Sequence, residues 1–136
     1  AINVLARQLG AELRIADLGV RGTAALEPLG LSRFKLGEGT RPMGTVMSAD
    51  GSTLYVSTGR SKMVMFLDPK ANAVNAAVEV GPRPWGIALS PDGKTIFTAN
   101  GPSNDVSVLD VATKTVTKKI PVQRGPWGVV VVERAR

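Results

Sequence analysis

The feature that most constrains this chain is that it nearly repeats itself every 42 residues. "RPMGTVMSADGSTLY" at 41–55 returns as "RPWGIALSPDGKTIF" at 83–97, and "GPWGVVVV" opens a third copy at residue 125. Pro42, Pro84 and Pro126 keep the interval, as do Gly44, Gly86 and Gly128. Ser48 matches Ser90, Asp50-Gly51 matches Asp92-Gly93, Tyr55 matches Phe97, Asp68 matches Asp110 and Val80 matches Val122. A period of this length falls among those of four-stranded propeller blades, which run to about 40–45 residues.

The residues inside one period fit four strands. "WGIALS" is short and almost wholly apolar, as an inner strand covered on both faces must be. "PDGK" is a turn, with Pro91 presetting φ and Gly93 free to take a positive one. "TIFTAN" is rich in β-branched and aromatic residues. "DVSVLDV" then alternates, and "VTKKIPV" is the most polar, as an outer edge should be. The fifteen glycines and nine prolines are spread along the chain, which suits many short elements joined by turns.

The chain is therefore expected to be all-β, a propeller segment of about three four-stranded blades with one blade split between the termini. Its 136 residues divide into an irregular partial blade at 1–40, blades at 41–82 and 83–124, and the first strand of the split blade at 125–136. Within 1–40, "INVLARQLG" reads as a second strand and "AELRIADL" as a third, with Asp17 in the place of Asp68 and Asp110. "SRFKLGEGT" reads as the outer strand, and "RGTAALEPL", near 21–29, as an insertion. Propellers commonly close with 4–8 blades. Three do not close a ring, so the chain is either part of a larger propeller or an assembling unit, two copies of which would make a six-bladed ring.

"RPWGIALSPDGKTIFTANGPSNDVSVLDVATKTVTKKIPV" followed by "GPWGVVVV" resembles the YVTN-type β-propeller repeat family of bacterial and archaeal cell-surface and periplasmic proteins. "TANGPSNDVSVLDVATKTVTKKIPV" and "PWGVVV" look especially like the propeller proteins associated with PQQ-dependent alcohol catabolism. "LYVSTG" at 54–59 is the nearest counterpart of the name-giving tetrapeptide. The match covers 41–136 well and 1–40 weakly. It implies a propeller fold and a periplasmic or cell-surface location, although 1–10 lack the basic start and apolar stretch of a signal peptide.

The chemistry available to the chain is narrow. With no His and no Cys, it can supply neither a histidine general base nor a thiolate, and Ser–His and Cys–His nucleophile systems are excluded within it. The lack of His argues against haem propellers and lyases that use histidine, unless blades outside this chain supply one. No cofactor, metal site or catalytic residue is expected. Asp17, Asp50, Asp68, Asp92 and Asp110 recur once per repeat beside turns, where Asp bonds backbone N–H groups. Net charge is +6 but aromatics are only 4%, and the cations are scattered, so nucleic acid is not the expected partner. Lys114, Lys118 and Lys119 suit a solvated edge strand. No apolar run reaches 18 residues, so no membrane-spanning helix is expected.

What remains is a binding surface. Arg41, Arg83 and Arg124 precede successive inner strands, and in a propeller those connections gather at one mouth of the central channel. Guanidiniums there would favour a small anion or an acidic protein surface. The bland alternative is that each arginine is merely solvated. Trp85 and Trp127 occupy equivalent inner-strand positions, where the first copy has Met43, and either join that surface or pack between blades. Met43, Met47, Met63 and Met65 read as gap-filling core residues. The expected function is a non-enzymatic scaffold or binding platform. The alternative is a piece of an enzymatic or redox-linked propeller, such as a quinoprotein-dehydrogenase accessory or sugar-lactone hydrolase, with its catalytic residues outside this chain.

Overall fold

The computed structural model describes residues 4–7, 13–15 and 31–132. The short strands β1 (Val4–Arg7), β2 (Leu13–Ile15) and β3 (Leu31–Arg33) form one antiparallel sheet in the order β2-β1-β3. Two four-stranded antiparallel sheets follow. The first is β4 (Pro42–Met47), β5 (Leu54–Thr58), β6 (Met63–Asp68) and β7 (Ala73–Glu79). The second is β8 (Pro84–Leu89), β9 (Thr95–Asn100), β10 (Asp105–Asp110) and β11 (Thr115–Pro121). Among the described residues there is no helix, and therefore none long and apolar enough to cross a membrane.

The sequence period is also a period of pairing. Val46↔Tyr55 and Met47↔Leu54 in the first sheet reappear as Ala88↔Phe97 and Leu89↔Ile96 in the second. The outer pair slips register between Phe66 and Leu67 and, 42 residues on, between Val108 and Leu109. Such bulges sharpen the strand twist. The first turn is held the same way each time. Ser48 Oγ donates to Asp50 Oδ1 at 2.7 Å and Ser90 Oγ to Asp92 Oδ1 at 2.6 Å, while Gly51 and Gly93 both sit at φ 71°. Asp68 accepts from the N–H groups of Lys70 and Ala71, and Asp110 from that of Thr113, at 2.7–2.9 Å. Each of these four carboxylates thus closes its own turn.

The main core lies between the two four-stranded sheets. Tyr55, Val64 and Phe66 of the first face Ile96 and Leu109 of the second, with Val80 of the connection buried among them. Tyr55 and Phe66 meet edge to face with ring centres 5.1 Å apart. A second cluster of Leu54, Val56, Met65 and Leu67 covers the other flank of the first sheet. One polar tie crosses the main core. Buried Ser107 donates to the Val80 carbonyl at 3.1 Å and accepts from Asn100 Nδ2 at 2.8 Å. Asn100 also donates to Asp105 Oδ1 at 2.6 Å and accepts from Thr98 Oγ1 at 3.1 Å, so no buried side-chain donor or acceptor goes unmet among the described residues.

Two expectations for the ends of the chain come out differently. Leu31–Arg33 pairs with β1, on the edge that a first strand would take, and not with β2 as an outer strand would. The residues after it leave the ladder because Phe34 and Leu36 pack on the second apolar cluster. Burying such side chains is worth about 1.5–3 kcal/mol each, more than the ladder bonds given up. The run expected at 125–136 forms no strand over its described part, 125–132, and pairs with no strand among the described residues. The insertion at 21–29 and Asp17 lie outside the described residues.

Candidate functional site

The connections between blades and the loops after each second strand converge on one face. Gly59 N–H donates to the Arg41 carbonyl at 2.7 Å, Arg60 N–H to Thr40 at 3.2 Å and Val80 N–H to Lys62 at 2.8 Å. One repeat later, Gly101 N–H reaches the Arg83 carbonyl at 3.5 Å, and Val122 N–H donates to the Asn104 carbonyl at 2.9 Å. The Asn104 side chain accepts from Gly125 N–H at 2.9 Å.

These bonds need the chain to reverse sharply as it enters each inner strand, and it does so through the left-handed region. Arg41 has φ 51°, Arg83 φ 48° and Gly125 φ 68°. The third equivalent of Arg41 and Arg83 is thus Gly125, and Arg124 stands one residue before the turn. All three arginines are exposed. A left-handed conformation costs a non-glycine residue about 1–2 kcal/mol. The reversal itself requires only a glycine, as residue 125 demonstrates.

Trp85 is half-buried, and its ring lies directly over Gly101, where a Cβ would collide with it. In the first repeat Met43 covers Gly59 in the same way. Trp127 stacks on Trp85 with ring centres 4.5 Å apart and planes tilted by 32°, yet keeps 74% of its surface exposed. The structure therefore brings Trp85 and Trp127 together as one aromatic step. Arg60 and Lys62, in the loop "STGRSK" after the second strand, lie on the same face as Arg41.

The two faces differ in charge. On the face where inner strands begin, the described residues include Arg41, Arg60, Lys62, Arg83 and Arg124 against Glu38, Glu79 and Asp105. On the opposite face the four turn aspartates outnumber Lys70, Lys94 and Lys114. Hydrogen bonds favour the ionised form of Asp50, Asp92 and Asp110. The Ser48 hydroxyl, with the Ser52 N–H and hydroxyl, pulls Asp50 down to about 2 from 3.8. Asp92 is lowered first by the Ser90 hydroxyl, and Asp110 first by the Thr113 N–H. Among the described residues no three acidic side chains converge as a cation cage.

No family model matches the chain, and no curated protein does. Among solved structures, it is similar to a Kuenenia stuttgartiensis hydrazine synthase chain, with 33% identity and a TM-score of 0.62 over 70% of this chain and 28% of that one. AztD from Citrobacter koseri, in its apo form, is 20% identical with a TM-score of 0.62 over 72% of this chain and 28% of that chain. The WD40 repeats of RRP9 are 12% identical with a TM-score of 0.58 over 66% of this chain and 28% of theirs. WD40 repeats are propeller blades, so the two four-stranded sheets are blades of a β-propeller. The chain spans about a quarter of the length of each of these structures.

Proposed function

We propose that this chain is a non-enzymatic propeller scaffold whose ligand face is the basic one, and that Arg41, Arg83 and Arg124 bind an acidic protein surface or a small anion beside the Trp85–Trp127 step. The observation that carries this reading is the placement of arginine at two left-handed positions where glycine suffices for the backbone. Five exposed cations around these turns give the face an excess of positive charge that attracts anions and weakens with salt. The half-stacked tryptophans add a flat apolar surface of the kind that anchors protein partners. On this reading the chain works outside the cytoplasm, in the periplasm or at the cell surface.

The test separates binding from folding. Replacing Arg41 and Arg83 by glycine removes both guanidiniums and the backbone strain together. Thermal stability should stay level or rise, while affinity for a glutamate-rich peptide or inorganic phosphate at low salt should fall at least tenfold. Unchanged affinity for both probes would refute the role of the arginines.

A second reading rests on the 33% identity to part of a hydrazine synthase chain: the blades belong to an enzyme whose reacting residues lie outside this sequence. A His- and carboxylate-bearing partner segment assembled on the same face would favour it.

A further inference from the structure

The second strand of each blade is followed by a buried glycine, and the residue before that glycine differs between the repeats. In the first blade it is Thr58, whose hydroxyl bonds Ser61 Oγ at 2.6 Å and donates to the Met63 carbonyl at 3.0 Å. In the second it is Asn100, the one asparagine of five in the sequence that is followed by glycine. An Asn–Gly pair can cyclise. With no Cβ on the second residue, its backbone nitrogen reaches the asparagine side chain unhindered. Gly59 N–H is bonded to the Arg41 carbonyl at 2.7 Å, whereas Gly101 N–H reaches the Arg83 carbonyl only at 3.5 Å. The nitrogen that would attack is therefore loosely held.

The restraint lies in the side chain. Asn100, Thr98 and Ser107 are fully buried. Asn100 Nδ2 donates to Asp105 Oδ1 at 2.6 Å and to Ser107 Oγ at 2.8 Å, and Oδ1 accepts from Thr98 Oγ1 at 3.1 Å. The carboxamide also lies against Gly81, where a Cβ would come within 2.6 Å of Nδ2 and 2.7 Å of Cγ. Ser107 carries the same network across to the Val80 carbonyl, so the bonds that hold Asn100 are the bonds that tie the blades. We infer that Asn100–Gly101 is a deamidation site gated by separation of the two blades. When the network parts, the Gly101 nitrogen gives up its proton to water and attacks Asn100 Cγ. The N–Cγ bond forms, the Cγ–Nδ2 bond breaks, and Nδ2 leaves as ammonia with a proton from water. Water then opens the cyclic imide to aspartate or isoaspartate, and nothing is oxidised or reduced. The product does not rebuild the tie. A carboxylate at 100 offers Asp105 and Ser107 no donor and sets two negative charges together at a buried place. Isoaspartate lengthens the main chain just where the Trp85 ring covers Gly101. A transient opening thus becomes a permanent one.

The test incubates the whole chain in mildly alkaline buffer, folded and in urea, and follows each asparagine by peptide mass mapping. Asn100 should be modified first in urea and at least tenfold more slowly in the folded chain, because local opening must precede the reaction. Ser107→Ala and Thr98→Val each remove one partner of the carboxamide, and each should speed the folded-state reaction at Asn100 at least threefold. Asn72, exposed and away from the network, should keep its parent rate in both. Should either variant fail to fold, the other carries the comparison. Modified chains, once refolded, should unfold at a lower urea midpoint than unmodified ones. Equal rates at Asn100 in the folded chain and in urea would overturn the gate. So would variants that fold yet leave that rate unmoved. Modified chains that return to the parent midpoint would overturn the one-way step.

Discussion

Gly59 and Gly101 occupy one repeat position under two different roofs, and this allows a steric argument to be tested inside a single molecule. A Cβ at residue 59 would approach Met43 Cγ at 3.1 Å and Sδ at 3.4 Å, both atoms of a flexible side chain. A Cβ at residue 101 would run into the ring of Trp85, which is rigid and carries Trp127 on it at 4.5 Å. Neither glycine has a positive φ, so alanine adds no backbone strain and gains about 0.4–1 kcal/mol from the unfolded state. Gly59→Ala should therefore be close to neutral once Met43 turns aside. Gly101→Ala must displace an aromatic ring, and overpacking of that kind costs about 1–3 kcal/mol. For a chain of this length the loss lowers Tm by roughly 3–12 °C. Trp85→Met should recover most of the difference when combined with Gly101→Ala, because it recreates the first repeat's pairing. The assay is urea unfolding of the four proteins as a double-mutant cycle, with a coupling of about 1 kcal/mol or more expected. Equal effects of the two glycine substitutions, or additivity in the cycle, would refute the claim that ring rigidity is the cause.

Asp50 should titrate with a midpoint near 2 in carboxyl NMR, and Ser48→Ala should move it up toward 3.8. Because its folded value lies below its unfolded one, its contribution to stability is complete above about pH 4 and disappears as pH falls toward 2. Chemical-denaturation midpoints across that window should drop more steeply in the parent than in Ser48→Ala. Ser107→Ala leaves the Val80 carbonyl and Asn100 Nδ2 each short of a partner at the buried inter-blade tie. It should cost about 1–3 kcal/mol in urea unfolding, whereas Thr117→Ala, at an exposed hydroxyl, should cost less than about 0.5 kcal/mol.

The two four-stranded sheets were legible because each repeated residue has a local task. Asp92 and Gly93 make a turn whatever surrounds them, and the alternation in "DVSVLDV" separates Val106 and Val108 from Ser107 and Leu109. The same logic failed at 31–40. "SRFKLGEGT" carries strand-like alternation, but Phe34 and Leu36 are drawn to the apolar cluster of the first blade, a tertiary demand that no local pattern expresses. At 125–132 a strand-forming composition meets no partner among the described residues. Strands are made by pairing, and composition supplies only half of a pair. Of the candidate site, Arg41 and Arg83 were placed correctly as equivalents, but the offset of Arg124 acquired its meaning only from the backbone angle at Gly125.

That angle separates what the fold needs from what it carries besides. Left-handed positions recur with the repeat at 41, 83 and 125, at 62 and 104, at 72 and 114, and at 51 and 93. The backbone alone asks for glycine or asparagine there, since those residues enter the region with least strain. Gly51, Gly93, Gly125, Asn72 and Asn104 meet that demand. Arg41, Lys62, Arg83 and Lys114 do not, and three of these four lie on the face where the inner strands begin. Each has an equivalent elsewhere in the chain, Gly125, Asn104 or Asn72, that makes the same turn with less strain. A stability-driven choice would fill every such position with the less strained residue. Long cations in these places weaken the fold by a small amount at each site and concentrate charge on one surface, and that trade is intelligible if the surface binds an anion.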